Sequence, residues 1–394
     1  MRDQQLRMAL ILGLLSAVGP FAIDMYLPAL PQVAEDLQVT EQQATLTLTA
    51  YFITFGIAQM IWGPMSDAVG RKPPILIGVS IFLLASIAAT FAPTLDWLVA
   101  ARALQAFGAA TLMVVPRAVI RDLSSGPDAA RMMAAIMIVI SVSPMLAPLA
   151  GSGIMLFGNW REIFAALAIA SLISLALTVF ALPETLRPEA RNPVSIPPML
   201  SGITRLLTSR RFMGLTFIGG FGMASFFVFL ASASFVYTRQ FGLSPTGFSL
   251  AFAFNAIGFF SASQFAAKLG QRLGMERLIA IAITGFVAAT ATLTLVVWLG
   301  LDQLWVVIAG LFIGNAFLGL VMPTSMVMAL DPHPDIAGLA SSLGGTIQML
   351  TGGAMIVAAG AFLDNTALPM VAAIACCAAL AWLSAFLSLP RLRF

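Results

Sequence analysis

The sequence predicts an all-α integral membrane protein that crosses the bilayer twelve times. Its composition, its punctuation and the placement of its basic residues all point there. Of 394 residues, 60% are hydrophobic and 9% are charged, and the mean hydropathy is +0.97. A soluble domain carries about 25% charged residues, so a chain with so few needs lipid as its solvent. In hydrocarbon every backbone N–H and C=O must be satisfied internally, which a helix does within one segment.

A spanning helix takes about 20 apolar residues. Charges, Pro and Gly divide the chain into twelve such segments: 9–30, 44–65, 74–92, 97–120, 132–157, 162–182, 212–237, 247–267, 278–300, 304–330, 338–363 and 369–389. Of the twenty Lys and Arg, sixteen fall in segments on the side of the N-terminus. Arg161 and Arg239 fall on the other side, and Arg102 and Arg117 lie within or near the end of a span. That asymmetry follows the positive-inside rule, so both termini are expected in the cytoplasm. The pI of 9.2 arises from a net charge of only +3, and no nucleic-acid partner is expected. The apolar run continues past "AVG" (17–19) to span length, unlike a cleaved signal peptide. Cys376 and Cys377 are adjacent inside an apolar run, so they read as small buried side chains and not as a disulfide framework.

The longest non-apolar stretch, 183–211, is Pro- and Arg-rich. It is expected to link two six-helix bundles, 1–182 and 212–394. A weak internal repeat agrees: "GPMSDAVGRK" (63–72) and "AKLGQRLGME" (267–276) are 204 residues apart, with Gly70 on Gly274 and Gln271 where Asp67 stands. Such repeated halves build many secondary transporters.

Two charges lie well inside spans. Asp24 sits in "VGPFAIDMYLPALP" (18–31) and Arg102 in "LVAARALQAFGAA" (98–110). An Arg at mid-span costs about 2.5–3.5 kcal/mol even on lenient scales, and it normally faces a partner or cavity. At roughly 1.5 Å per residue both charges fall in the outer half of the bilayer, so a direct or water-mediated pair is expected. Ser16, Pro20, Asp24 and Pro28 recur every four residues and would share one helix face, expected to line a cavity. Burial and a nearby guanidinium act on a carboxyl proton in opposite senses, which suits a group that gains and loses a proton.

The motifs carry a resemblance. "GPMSDAVGRKPPIL" (63–76), the Arg102 segment and "SPMLAPLAGS" (143–152) resemble signatures of the major facilitator superfamily. With "DMYLPALP" and "PRAVIRDL", the chain resembles its bicyclomycin- and chloramphenicol-resistance branch of twelve-span drug:proton antiporters. It departs at Ala106, where Gly is usual, and at Ala147-Pro148…Gly151-Ser152. The resemblance implies two pseudo-symmetric six-helix bundles in a bacterial-type inner membrane. It also implies a cytoplasmic gate of Gly63, Asp67, Gly70, Arg71, Lys72, Arg121 and Asp122, and fifth-span packing by Pro144, Pro148, Gly151 and Ser152 that seals against the second half. On residue chemistry alone, Gly63 and Gly70 permit a tight connection, and Asp67 can accept backbone N–H groups at a nearby helix start. Ser141, Pro144, Pro148 and Gly151 or Ser152 form a stripe that lets a helix approach closely.

Tyr26, Tyr51, Phe226, Phe229, Asn255, Asn315 and Gln348 are candidate pocket residues. An amide in hydrocarbon needs a partner, which favours Asn255 and Gln348. His333, the single histidine, is expected to be solvated in its loop. No metal, no cofactor and no enzymatic activity are expected, because an isolated acid and one His do not make a catalytic cluster. A channel lacks a filter sequence. The expected function is proton-coupled efflux of small amphiphilic drugs of chloramphenicol or bicyclomycin type, by a monomer. Asp24 would carry the proton or exchange it for substrate, and Arg102 would set its pKa or act as a relay. A proton-coupled importer or metabolite exporter on the same fold is the alternative.

Overall fold

A computed structural model describes residues 2–124, 126–191, 196–364 and 366–389. Among these, twelve helical spans are long and apolar enough to cross a membrane: Arg7–Asp36, Glu41–Val69, Lys72–Thr90, Leu95–Leu123, Arg131–Met155 and Trp160–Phe180, then Arg210–Arg239, Pro245–Leu273, Met275–Trp298, Leu304–Leu330, Pro334–Gly360 and Ala367–Ser388. They are called the first to twelfth spans. Their ends agree with the expected segments to within a few residues, and no strand occurs among the described residues.

Short polar residues start several spans. Thr94 accepts the Trp97 N–H ahead of the fourth, and Asn159 with Glu162 forms a capping box ahead of the sixth. Ser209 and Ser244 accept N–H groups at the starts of the seventh and eighth. Each such cap is worth about 1 kcal/mol.

The chain divides into two compact units, Met1–Ser195 and Ile196–Phe394. The division falls inside the 183–211 stretch. The helix Ile196–Thr208 belongs to the second unit, where Arg205 pairs with Asp335 at 2.5 Å.

Within the first unit, the first span packs on the fourth, fifth and sixth. The second packs on the fourth, and the third on the fourth and sixth. The second unit repeats that pattern six spans later: the seventh on the tenth, eleventh and twelfth, the eighth on the tenth, and the ninth on the tenth and twelfth. Gly70 (φ 108°) and Gly274 (φ 83°), 204 residues apart, both end a helix in left-handed conformation, which favours glycine. The weak sequence repeat therefore corresponds to a repeat of structure.

Close approach inside the second unit rests on Gly319 of the tenth span, where a Cβ would drive into the Phe259 carbonyl oxygen of the eighth. Gly338 has open space around it. Overpacking costs about 1–3 kcal/mol, and here backbone must move. Gly319→Val is expected to lower the thermal midpoint in detergent by about 5 °C or more, while Gly338→Ala leaves it unchanged. Equal midpoints for the two variants would contradict this packing.

Candidate functional site

The first span is helical from Arg2 to Asp24 and then breaks. Pro28 has no N–H to return to the Asp24 carbonyl four residues back, and its ring crowds that turn. The Tyr26 N–H bonds the Ile23 carbonyl (3.3 Å), a 3-10 turn covers Leu27–Ala29, and the helix resumes at Leu30. The Ala22 carbonyl thereby loses its helical partner. Ser16, Pro20 and Asp24 share a helix, but Pro28 belongs to the turn, so the expected four-residue stripe stops at Asp24.

Arg102, on the fourth span, supplies the missing donor. Its Nη1 donates to the Ala22 carbonyl (2.9 Å) and to Gln105 Oε1 (2.5 Å). Gln105 Nε2 donates to Ser86 Oγ (2.9 Å), and that hydroxyl donates to the Phe82 carbonyl (2.8 Å). The guanidinium carbon lies 4.4 Å from the Tyr51 ring centroid, 4.9 Å from Tyr26 and 5.8 Å from Phe164. Arg102 is 0% exposed, and its Nε and Nη2 have no hydrogen-bond acceptor among the described residues. The aromatic faces take that place, since a ring quadrupole attracts a desolvated cation strongly. Tyr26 and Tyr51 are in turn fixed by Thr47 Oγ1 (3.1 Å) and the Gly19 carbonyl (3.3 Å).

Asp24 is 4% exposed. The direct pair with Arg102 is not formed: among the described residues no ion pair joins the two, and the arginine is committed to Ala22 and Gln105. Asp24 lies between two contacts at the break. Arg102 holds Ala22 on one side. On the other, a Cβ on Gly151 of the fifth span would collide with the Met25 carbonyl oxygen, so only glycine allows that approach. Pro144, Ala147, Pro148, Gly151 and Ser152 form a buried stripe on the fifth span, which packs against the first span and its 3-10 turn.

A second cluster closes the loop between the second and third spans. Buried Arg71 donates to Asp67 Oδ1 (2.5 Å), Ser66 Oγ (3.1 Å) and Asp122 Oδ2 (2.8 Å). Thr185 Oγ1 also donates to Asp122 (3.1 Å). Burial pulls on the Arg71 proton, but Asp122 and Asp67 outweigh it and hold the group above its ordinary value. Asp67 does not accept backbone N–H groups at the next helix start, as expected from sequence. Glu184 does so, with Oε1 taking the Arg71 N–H (2.9 Å) and Oε2 the Lys72 N–H (3.1 Å). Gly63 is on the second span and Arg121 is exposed beside Asp122. At the opposite end of the unit, Asp36 accepts Arg161 Nη1 (2.5 Å) and Trp160 Nε1 (3.0 Å), which neutralises one of the two outlying basic residues.

In the second unit, Phe229 stacks on Phe252 at 5.7 Å and Phe226 on Phe259 at 6.0 Å. Asn255 Nδ2 donates to the Ala251 carbonyl (3.1 Å), while its buried Oδ1 has no partner among the described residues. The space left by Gly219 is filled by the Gln348 amide beside Ser325 Oγ. Asn315 is buried on the tenth span. Of the seven pocket candidates, Tyr26 and Tyr51 thus grip Arg102, Phe226 and Phe229 join an aromatic cluster through Phe252, Asn255 lies buried on the same helix as Phe252, and Asn315 and Gln348 lie on other helices. His333 is buried and not solvated, because its ring stands edge-on to Phe212 at 5.8 Å.

Sequence reasoning missed Gln105, Ser86, Thr47, Phe164 and Glu184. Gln105 was findable, being one helical turn from Arg102; the others come from distant segments.

Twelve spans in two matching units, with ionisable groups buried in the first, define a multi-pass membrane protein of transporter architecture. The profile of the Major Facilitator Superfamily matches residues 12–357, and the chain belongs to that family. A bicyclomycin resistance protein homolog of Haemophilus influenzae is 30% identical over 97% of this chain and 96% of its own. Multidrug resistance protein D of Escherichia coli is 32% identical over 93% and 91%. These relatives agree with the drug-resistance branch that the motifs resemble. A solved D-xylose-proton symporter shares the fold with a TM-score of 0.76, covering 98% of each chain at 15% identity.

Burial pushes the Glu184 carboxyl up, but the N–H groups of Arg71, Leu186, Lys72 and Thr185 outweigh it and hold it below the usual carboxylate range. A carboxyl lowered in the folded state adds stability above its unfolded value, about 4.3 for Glu. That stability is lost as pH falls through the lowered folded value. Glu184→Gln is expected to lower the thermal midpoint at neutral pH and to reduce its decline on acidification below about pH 4.3. An unchanged midpoint with an unchanged acid limb would contradict the role of Glu184.

Proposed function

We propose that this protein exports small amphiphilic drugs in exchange for protons, by alternating access. The observation that carries the reading is Asp24, a carboxyl buried at a helix break with no fixed counter-ion. Membrane-buried acids mark ion and proton pathways by default. The relatives named for bicyclomycin and multidrug resistance support a drug-like cargo, bicyclomycin-like or, as the motif resemblance implies, chloramphenicol-like.

In this reading Asp24 holds a proton or a cargo group in turn. Arg102 keeps the break open by occupying the Ala22 carbonyl. Phe226 and Phe229, stacked on Phe259 and Phe252 of the eighth span, would supply apolar faces, and Asn255 of that span a polar handle, as amphiphile sites require. The Arg71 cluster acts as the gate on the basic face. The basic-residue asymmetry supports an inner-membrane protein with both termini cytoplasmic, built as bundles 1–182 and 212–394 and acting as a monomer.

A resistance panel in an efflux-deficient bacterial host tests this. Wild type is expected to raise tolerance to at least one amphiphilic antibiotic, and Asp24→Asn to lose that gain at equal expression. No gain for any compound would contradict export. Retained pH-driven export by Asp24→Asn would remove the proton role from Asp24.

A further inference from the structure

The first unit carries a cavity of about 420 Å³ that the drug-export reading leaves unused. Its lining comes from the start of the first span (Arg7, Met8, Ile11), from Lys72 at the start of the third span, and from residues 179–183, where the chain leaves the sixth. Among the described residues two cations and no carboxylate line it. Lys72 Nζ donates one hydrogen to the Val179 carbonyl (2.8 Å), which caps the end of the sixth span and leaves two hydrogens over. Arg7 is exposed and makes no ion pair among the described residues. Glu184, which follows the lining residue Pro183, accepts the backbone N–H groups of Arg71, Lys72 and Leu186, not the Lys72 amine.

Apolar side chains surround this basic pocket. Leu10 and Leu14 follow Arg7 at three and seven residues, on one helix face. They are 58% and 57% exposed, and Phe180 is 87% exposed. In a chain that spans a bilayer, such residues meet acyl chains. A cation pair at a helix end with no carboxylate among the described lining residues, and an apolar stripe leading away from it, matches one occupant in charge and shape. We propose that this cavity binds the phosphate headgroup of an anionic phospholipid, with its acyl chains along Leu10, Leu14 and Phe180. Arg takes phosphate oxygens through two parallel N–H donors and Lys as a point charge, and basic pockets between spans hold anionic headgroups in this way. Because Lys72 follows Arg71 directly, a bound headgroup also steadies the start of the third span beside the Arg71 cluster.

The proposal stands on the membrane-spanning fold and is independent of the cargo. It is tested on the full chain in nanodiscs of phosphatidylcholine with or without phosphatidylglycerol. Retained lipid is read by native mass spectrometry and stability by the thermal midpoint. Wild type is expected to retain phosphatidylglycerol over phosphatidylcholine and to gain in midpoint when it is present. Arg7→Gln, which breaks no described hydrogen bond, is expected to weaken that preference roughly fivefold, and Arg7→Gln with Lys72→Gln roughly fivefold further. Lys72→Arg is expected to keep the preference. Equal retention of both lipids by wild type would overturn the proposal, as would undiminished preference in the double variant. Stabilisation by inorganic phosphate alone, equal to that by phosphatidylglycerol, would overturn the lipid assignment in favour of a soluble anion.

Discussion

A guanidinium held wholly out of water constrains the first unit more than any other single group. Arg102 can stay there only if its hydrogens and its charge are answered locally. The first span answers by breaking. Pro28 removes one helical donor, the Tyr26 N–H shifts to Ile23, and the freed Ala22 carbonyl accepts from Arg102. Tyr51 and Tyr26 close over the charge, and Gln105 passes the hydrogen-bond demand on to the third span through Ser86. The same break exposes the Met25 carbonyl, and Gly151 brings the fifth span onto it. Asp24 lies between the two contacts. Its position is therefore set by four spans at once, although its carboxyl is tied to none of them.

The ends of the unit are built on a different principle. There the charges are satisfied in pairs: buried Arg71 with Asp67 and Asp122 at one end, half-exposed Arg161 with Asp36 at the other. Single exposed pairs are worth little, but Arg71 is buried and multiply bonded, so the loss of one partner leaves a charge without compensation. The second unit repeats the packing of the first with far fewer charges. Gln240 takes the Ala367 N–H at the start of the twelfth span (2.6 Å), as Gln32 takes the Trp160 N–H at the start of the sixth (3.0 Å). The architecture is shared, and the buried ionisable groups Asp24 and Arg102 belong to one half.

Much of this was legible in the sequence, for physical reasons. Span number and approximate ends follow from apolar run length, because the bilayer fixes how long a helix must be. Asp24 and Arg102 stand out because charge inside a span is costly, and the offset of 204 between Gly70 and Gly274 marks two left-handed helix ends. What stayed hidden depends on side chains far apart in sequence. Glu184 reaches back 112 residues to Lys72, and nothing in "PETLR" reveals it. The four-residue stripe through Pro28 failed because helical periodicity cannot be carried across the proline that ends the helix. His333 was misread because a loop residue can fold back onto an aromatic ring such as Phe212.

The central claim is that Asp24, with no fixed counter-ion at the helix break, exchanges its proton as cargo binds. The direct measurement is proton release from purified protein in weakly buffered detergent on addition of a transported drug. Wild type is predicted to release protons on drug addition, and Asp24→Asn to bind the drug and release none. Equal release by both proteins would contradict the account.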